Sequence, residues 1–116
     1  MIDLRPDYQE LVKNILRQHL PGFPVWAFGS RVTGTAKAHS DLDLAVITEK
    51  PLDDRTMSAM KEAFSESNLP MRVDVVDWAE ISETFRKVIR KKYEVLQEVG
   101  IPGASLSSPG APRTGS

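Results

Sequence analysis

The chain has 116 residues, 41% of them hydrophobic, with a formal net charge of −1 and no cysteine. That is enough for one domain with one core, which excludes a two-lobed, polymerase-like transferase. The near-neutral balance gives no global field for nucleic acid, so direct nucleic-acid binding is not expected. Lack of cysteine removes disulfides, thiolate nucleophiles and cysteine zinc sites, and fits a reducing compartment.

No apolar run approaches the length of a membrane span, and Met1 to Asp7 shows no basic-then-apolar leader. A cytoplasmic protein with no membrane contact is the expectation. Tyr8, Leu11, Val12, Ile15, Leu16 and Leu20 recur at helical spacing. They predict a first helix from Pro6 to His19, stopped by Pro21-Gly22. Val25 to Phe28 reads as a short buried strand broken by Gly29-Ser30. Arg31 to Ser40 is small and polar, a loop with a short helix. Leu42, Leu44 and Val46 alternate with Asp41, Asp43 and Ala45, predicting a second strand from Asp41 to Ile47.

A helix is expected between Leu52 and Ser67, with Met57, Met60 and Phe64 on one face and Asp53 or Asp54 as cap. Met71 to Val76 is rich in β-branched residues and reads as a third strand. Ser82 can cap a last helix carrying Phe85, Val88, Ile89, Tyr93, Leu96 and Val99 on its apolar side. Residues 1–99 are thus expected to form one domain. Residues 100–116, rich in Gly, Pro, Ser and Ala, read as a disordered tail. The order predicts an α/β fold with a small mixed three-stranded sheet flanked by helices. The Gly29 to Ser40 link is near the minimum for a parallel crossover, which favours one antiparallel pair.

Asp41 and Asp43 lie two apart on a predicted strand, so both carboxylates share a face. Their Cβ atoms are then roughly 6–7 Å apart. Like charges at that spacing are costly unless a cation lies between them. Mg²⁺ takes one or two carboxylates plus phosphate oxygens, and this pair suits it. An isolated Asp-x-Asp is more often a solvent-facing pair; the preceding Gly29-Ser30 raises its significance. Glycine admits a phosphate to the backbone, Ser30 offers a hydroxyl and an amide, and Arg31 a charge able to fork onto phosphate. An EF-hand is disfavoured by Leu42, Leu44 and Ala45. A P-loop is excluded because Thr35 stands where its lysine is required. Asp74, between Val73 and Val75, is a carboxylate in an apolar strand, which a metal or a proton-transfer role explains. Asp77 points to the opposite face and reads, with Glu80, as a turn or cap.

The run Gly29 to Val46, with Gly29-Ser30, Gly34 and Ser40-Asp41-Leu42-Asp43-Leu44, followed by Val73-Asp74-Val75, resembles the minimal nucleotidyltransferases. These are small members of the polymerase β-like superfamily, and the resemblance covers most of residues 1–99. It implies the nucleotidyltransferase fold, with Asp41, Asp43 and Asp74 as catalytic, metal-binding residues, and ATP as co-substrate with Mg²⁺. Gly29, Ser30, Arg31 and Ser40 are the expected nucleotide-binding residues. The resemblance further implies a toxin–antitoxin pair, in which the antitoxin transfers AMP to a hydroxyl of a HEPN-domain ribonuclease toxin. A binding-only antitoxin and an antibiotic-modifying nucleotidyltransferase are the alternatives. The basic run Arg86, Lys87, Arg90, Lys91 and Lys92 reads as a solvated helix face. His39 cannot form a triad with adjacent Ser40 and Asp41. Trp26 and Trp78 read as core or interface.

Overall fold

A computed structural model describes residues 2–98 of the chain. Helix α1 spans Pro6–His19 and buries Val12, Ile15 and Leu16. Proline in its first turn costs no hydrogen bond there. Gly22, at φ +90°, then reverses the chain into strand β1, Val25–Phe28. A one-turn helix α2, Ser30–Thr33, leads through a loop to β2, Leu42–Val46. Helix α3 spans Asp54–Ser65, with the Asp53 carboxylate accepting the Thr56 N–H at 2.8 Å. Strand β3, Val73–Asp77, runs into a single 3-10 turn, Trp78–Glu80. Helix α4, Glu83–Lys91, is capped by Ser82.

The expected three-stranded sheet has a fourth strand, β4, Glu94–Gln97. The order is β3-β2-β1-β4. β1 pairs antiparallel with β2 and with β4, and β2 pairs parallel with β3. The mixed sheet and the antiparallel pair agree with the sequence reading. The long last helix does not, because α4 stops at Lys91. Ile89, Tyr93 and Leu96 have spacings of four and three that imitate a helix. In the fold, Tyr93 stacks on Trp26 at 4.0 Å, Val95 is exposed and Leu96 is buried, which is the alternation of a strand. Val88, placed on the apolar side from sequence, is 55% exposed. Val99 and the expected tail lie outside the described residues.

The two faces of the sheet have different tasks. Leu42, Leu44 and Val46 join Val25, Ala27 and Val75 beneath α1 and α3 in the main core. The opposite face carries Phe28, Ala45, Trp78 and Ile89, with Trp26, Val76 and Phe85 packed around them under α4. The second, smaller cluster covers only part of its face. The acidic residues occupy the remainder.

Asp77 ties the strand end together. It is buried, and accepts hydrogen bonds from the Thr48 hydroxyl, the Leu52 N–H at 2.7 Å and the Ala79 N–H at 3.1 Å. The cap reading of Asp77 therefore holds, and it has no place in the acidic site. Replacing it strands several buried donors at once. Asp77→Ala is expected to lower unfolding free energy by about 3 kcal/mol in urea titration, with Asp77→Asn losing less.

Candidate active site

Strand register brings the site together. Asp43 is opposite Phe28 of β1 and opposite Asp74 of β3. Neighbouring strands lie about 4.8 Å apart, so Asp43 and Asp74 are side by side on one face. Asp41 lies one residue before β2, exposed, at the same end of the sheet. Asp74 is also exposed, while Asp43 is half-buried. Residues distant in sequence thus meet where β1 ends and where β2 and β3 begin.

Gly29 closes the site from above. Its φ is +81° and ψ −157°, a backbone region essentially reserved for glycine. A methyl group at Gly29 would overlap the Asp43 Oδ2 and stand 3.2 Å from its Cγ. The backbone and the carboxylate therefore occupy adjoining space that no side chain can share. Ser30 then begins α2, and Gly34, at φ +87°, ends it. The amides of Ser30 and Arg31 take no backbone acceptor among the described residues. They head the turn beside the carboxylates.

Two of the expected nucleotide contacts, Arg31 and Ser40, also bond within the chain. The Arg31 side chain is 6% exposed. Its Nε donates to the Ser40 carbonyl at 3.0 Å, Nη1 to the Asp3 carbonyl at 2.9 Å and Nη2 to the Ala38 carbonyl at 3.3 Å. All its side-chain nitrogens are engaged, so Arg31 fastens the loop before Asp41. The Ser40 hydroxyl accepts the Lys37 N–H at 2.8 Å, closing the turn before Asp41. Gly29 and Ser30 remain at the mouth of the site. Nothing in the sequence marked Arg31 as buried; its role needs the fold of the loop.

The electrostatics follow from the crowding. Burial pushes the Asp43 carboxyl above its ordinary value of 3.8, and the charges of Asp74 and Asp41 push it further. Among the described residues no ion pair reaches any of the three. Nor do they form a ready-made metal cage. The donor set nonetheless fits a hard divalent cation that completes its shell with phosphate oxygens and water. The mutual repulsion at Asp43 is what such a cation would remove.

The sign of the linkage is determined by the raised value. Ionised Asp43 disfavours the fold, so this contribution is fully favourable below pH 3.8 and is lost as pH rises through the raised folded value. Thermal melts from pH 3 to 7 should therefore show Asp43→Asn gaining stability over wild type as pH increases, with the difference vanishing at the acid end. Added Mg²⁺ should raise the melting temperature of wild type at neutral pH and leave Asp43→Asn nearly unmoved. Identical pH profiles for the two proteins would contradict the crowding described above.

The chain is similar to known proteins over most of its length. Residues 10–99 match the family model described as Polymerase beta, Nucleotidyltransferase. A Haemophilus influenzae protein named "Probable protein adenylyltransferase MntA" is 57% identical over 97 residues, covering 84% of this chain and 85% of that one. A crystal structure of a toxin–antitoxin with AMP-PNP superposes with a TM-score of 0.66 at 26% identity, covering 80% of this chain and 73% of that one. A mutant MntA–HpeT toxin–antitoxin complex gives a TM-score of 0.63 at 26% identity, covering 84% and 74%. The chain belongs to the polymerase beta nucleotidyltransferase family.

Proposed function

We propose that this nucleotidyltransferase moves AMP from ATP to a hydroxyl of a partner protein, and that the partner is a HEPN-domain toxin which the transfer neutralises. The observation that carries the transfer is the cross-strand pairing of Asp43 with Asp74 beneath Gly29. The 57% identity to an MntA protein adenylyltransferase supports a protein acceptor. The likeness to toxin–antitoxin structures, one of them with an ATP analogue, supports both the partner and the nucleotide. An ATP-consuming reaction suits the cytoplasm. Among the described residues no helix is long and apolar enough to cross a membrane.

In this reading Asp41 and Asp43 hold Mg²⁺, and Asp74 completes the set. An ion held there would supply neutralisation of the charge on the phosphates and the leaving pyrophosphate. Gly29 lets the phosphates approach the backbone, and the Ser30 amide and hydroxyl face them at the head of α2. The acceptor oxygen attacks the α-phosphorus in line. A new P–O bond forms, the bond to pyrophosphate breaks, and the hydroxyl proton passes to Asp74. Holding the groups in that geometry is the protein's main contribution.

The test is direct. Wild type with ATP and Mg²⁺ should increase the intact mass of the toxin by one or more AMP units. Asp41→Asn with Asp43→Asn should fold normally and lose transfer by hundreds-fold or more, since several kcal/mol of charge stabilisation is removed. Chelation with EDTA should do the same to wild type. Toxin neutralised without any mass increase would replace this reading with a binding-only antitoxin.

A further inference from the structure

Asp74 belongs to two surfaces at once. One is the acidic site. The other is a groove of about 460 Å³ between β3 and α3, lined by Lys61, Phe64, Leu69, Met71, Arg72 and Asp74. β3 is an edge strand, with no further strand beyond it among the described residues. The Arg72 carbonyl accepts the Leu42 N–H at 2.9 Å. Arg72 and Asp74 therefore turn their backbone groups toward β2, and Val73 and Val75 turn theirs to the open edge. Lys61 and Arg72 are exposed, and neither makes an ion pair or side-chain hydrogen bond among the described residues.

Resting on the protein-acceptor reading, we infer that this edge is the channel for the acceptor segment: an extended, acidic stretch of the partner that adds alongside β3 and carries the reacting hydroxyl. Three features determine the occupant. An exposed strand edge recognises extended backbone by main-chain hydrogen bonds. Alternate side chains of an added strand point to opposite faces, so the residue beside the hydroxyl enters the groove that Lys61 lines with Phe64, Leu69 and Met71, while the hydroxyl residue stands over Asp74. The two free cations flank that path, so glutamate or aspartate beside the hydroxyl is attracted and lysine or arginine repelled. They also offset the repulsion that the acidic site would exert on such a segment.

Two short peptides with a central tyrosine test this, one flanked by glutamates and one by lysines. Each is titrated into the full chain with ATP and Mg²⁺ while backbone amide resonances are followed by NMR, and AMP transfer to the tyrosine is measured in parallel. The acidic peptide should shift the amides of Val73 and Val75 and bind about tenfold tighter than the basic one. In Lys61→Glu with Arg72→Glu the order should reverse, with ATP affinity unchanged; the milder Lys61→Gln with Arg72→Gln should remove the preference. Equal binding of the peptides, shifts confined to other surfaces, or weakened ATP binding in the charge-reversed variant would overturn the channel. Transfer without edge binding leaves the transferase standing and sinks the channel. Edge binding without transfer supports the channel and counts against the transferase.

Discussion

Gly29 and Asp43 occupy adjoining space, and the rest of the site is organised around that contact. A half-buried carboxylate is placed under a backbone that tolerates no Cβ. Two more carboxylates on the same sheet end press on it. Such a set disfavours its own fold, because each charge raises the cost of the next. It persists because the strands beneath it are over-determined. Leu42 and Leu44 on the reverse face are fully buried, so the register that holds Asp43 beside Asp74 cannot slip without expelling them.

The sheet is thus asymmetric by design of its sequence. One face is apolar along its length and takes α1 and α3. The other is apolar only toward the α4 side, where Trp26 meets Trp78 edge-on at 5.4 Å and Phe28 meets Phe85 at 5.6 Å. Arg86 and Arg90 lie over the Trp78 ring, and both also bond Glu83. Both arginines of the basic run are therefore occupied with their own helix and its neighbour. Lys61 on α3 and Arg72 just before β3 line a groove with Asp74.

Most of the frame was legible because it rests on periodicity. The α1 bounds and the alternation of β2 follow from local pattern alone, which left the cap open between Asp53 and Asp54 until the fold selected Asp53. The period-two argument also places Asp41 and Asp43 at one end of one face. What pattern could not supply was partnership. Asp74 becomes a neighbour of Asp43 only through parallel pairing, which no local signal encodes. β4 was hidden because Ile89, Tyr93 and Leu96 satisfy helical spacing, and only the stacking on Trp26 and the break at Lys92 separate the readings. The burial of Arg31 was hidden for a related reason. Guanidinium chemistry suits phosphate, yet a buried guanidinium surrounded by carbonyls is satisfied before any ligand arrives. Arg72, two residues before Asp74, was visible by the same period-two rule but carried no motif to draw notice.

That arginine has a consequence in conformational entropy. The loop from Gly34 to Ser40 contains no regular element, and untethered it would sample many shapes at the entrance to the site. Three carbonyls, from Asp3, Ala38 and Ser40, converge on one rigid fork and fix it. The ordering of that loop is completed when the chain folds, so a ligand bound at this end of the sheet would meet a shaped entrance and lose less freedom in binding. The extreme N-terminal segment is a structural stay for the site, although it contributes no side chain to it.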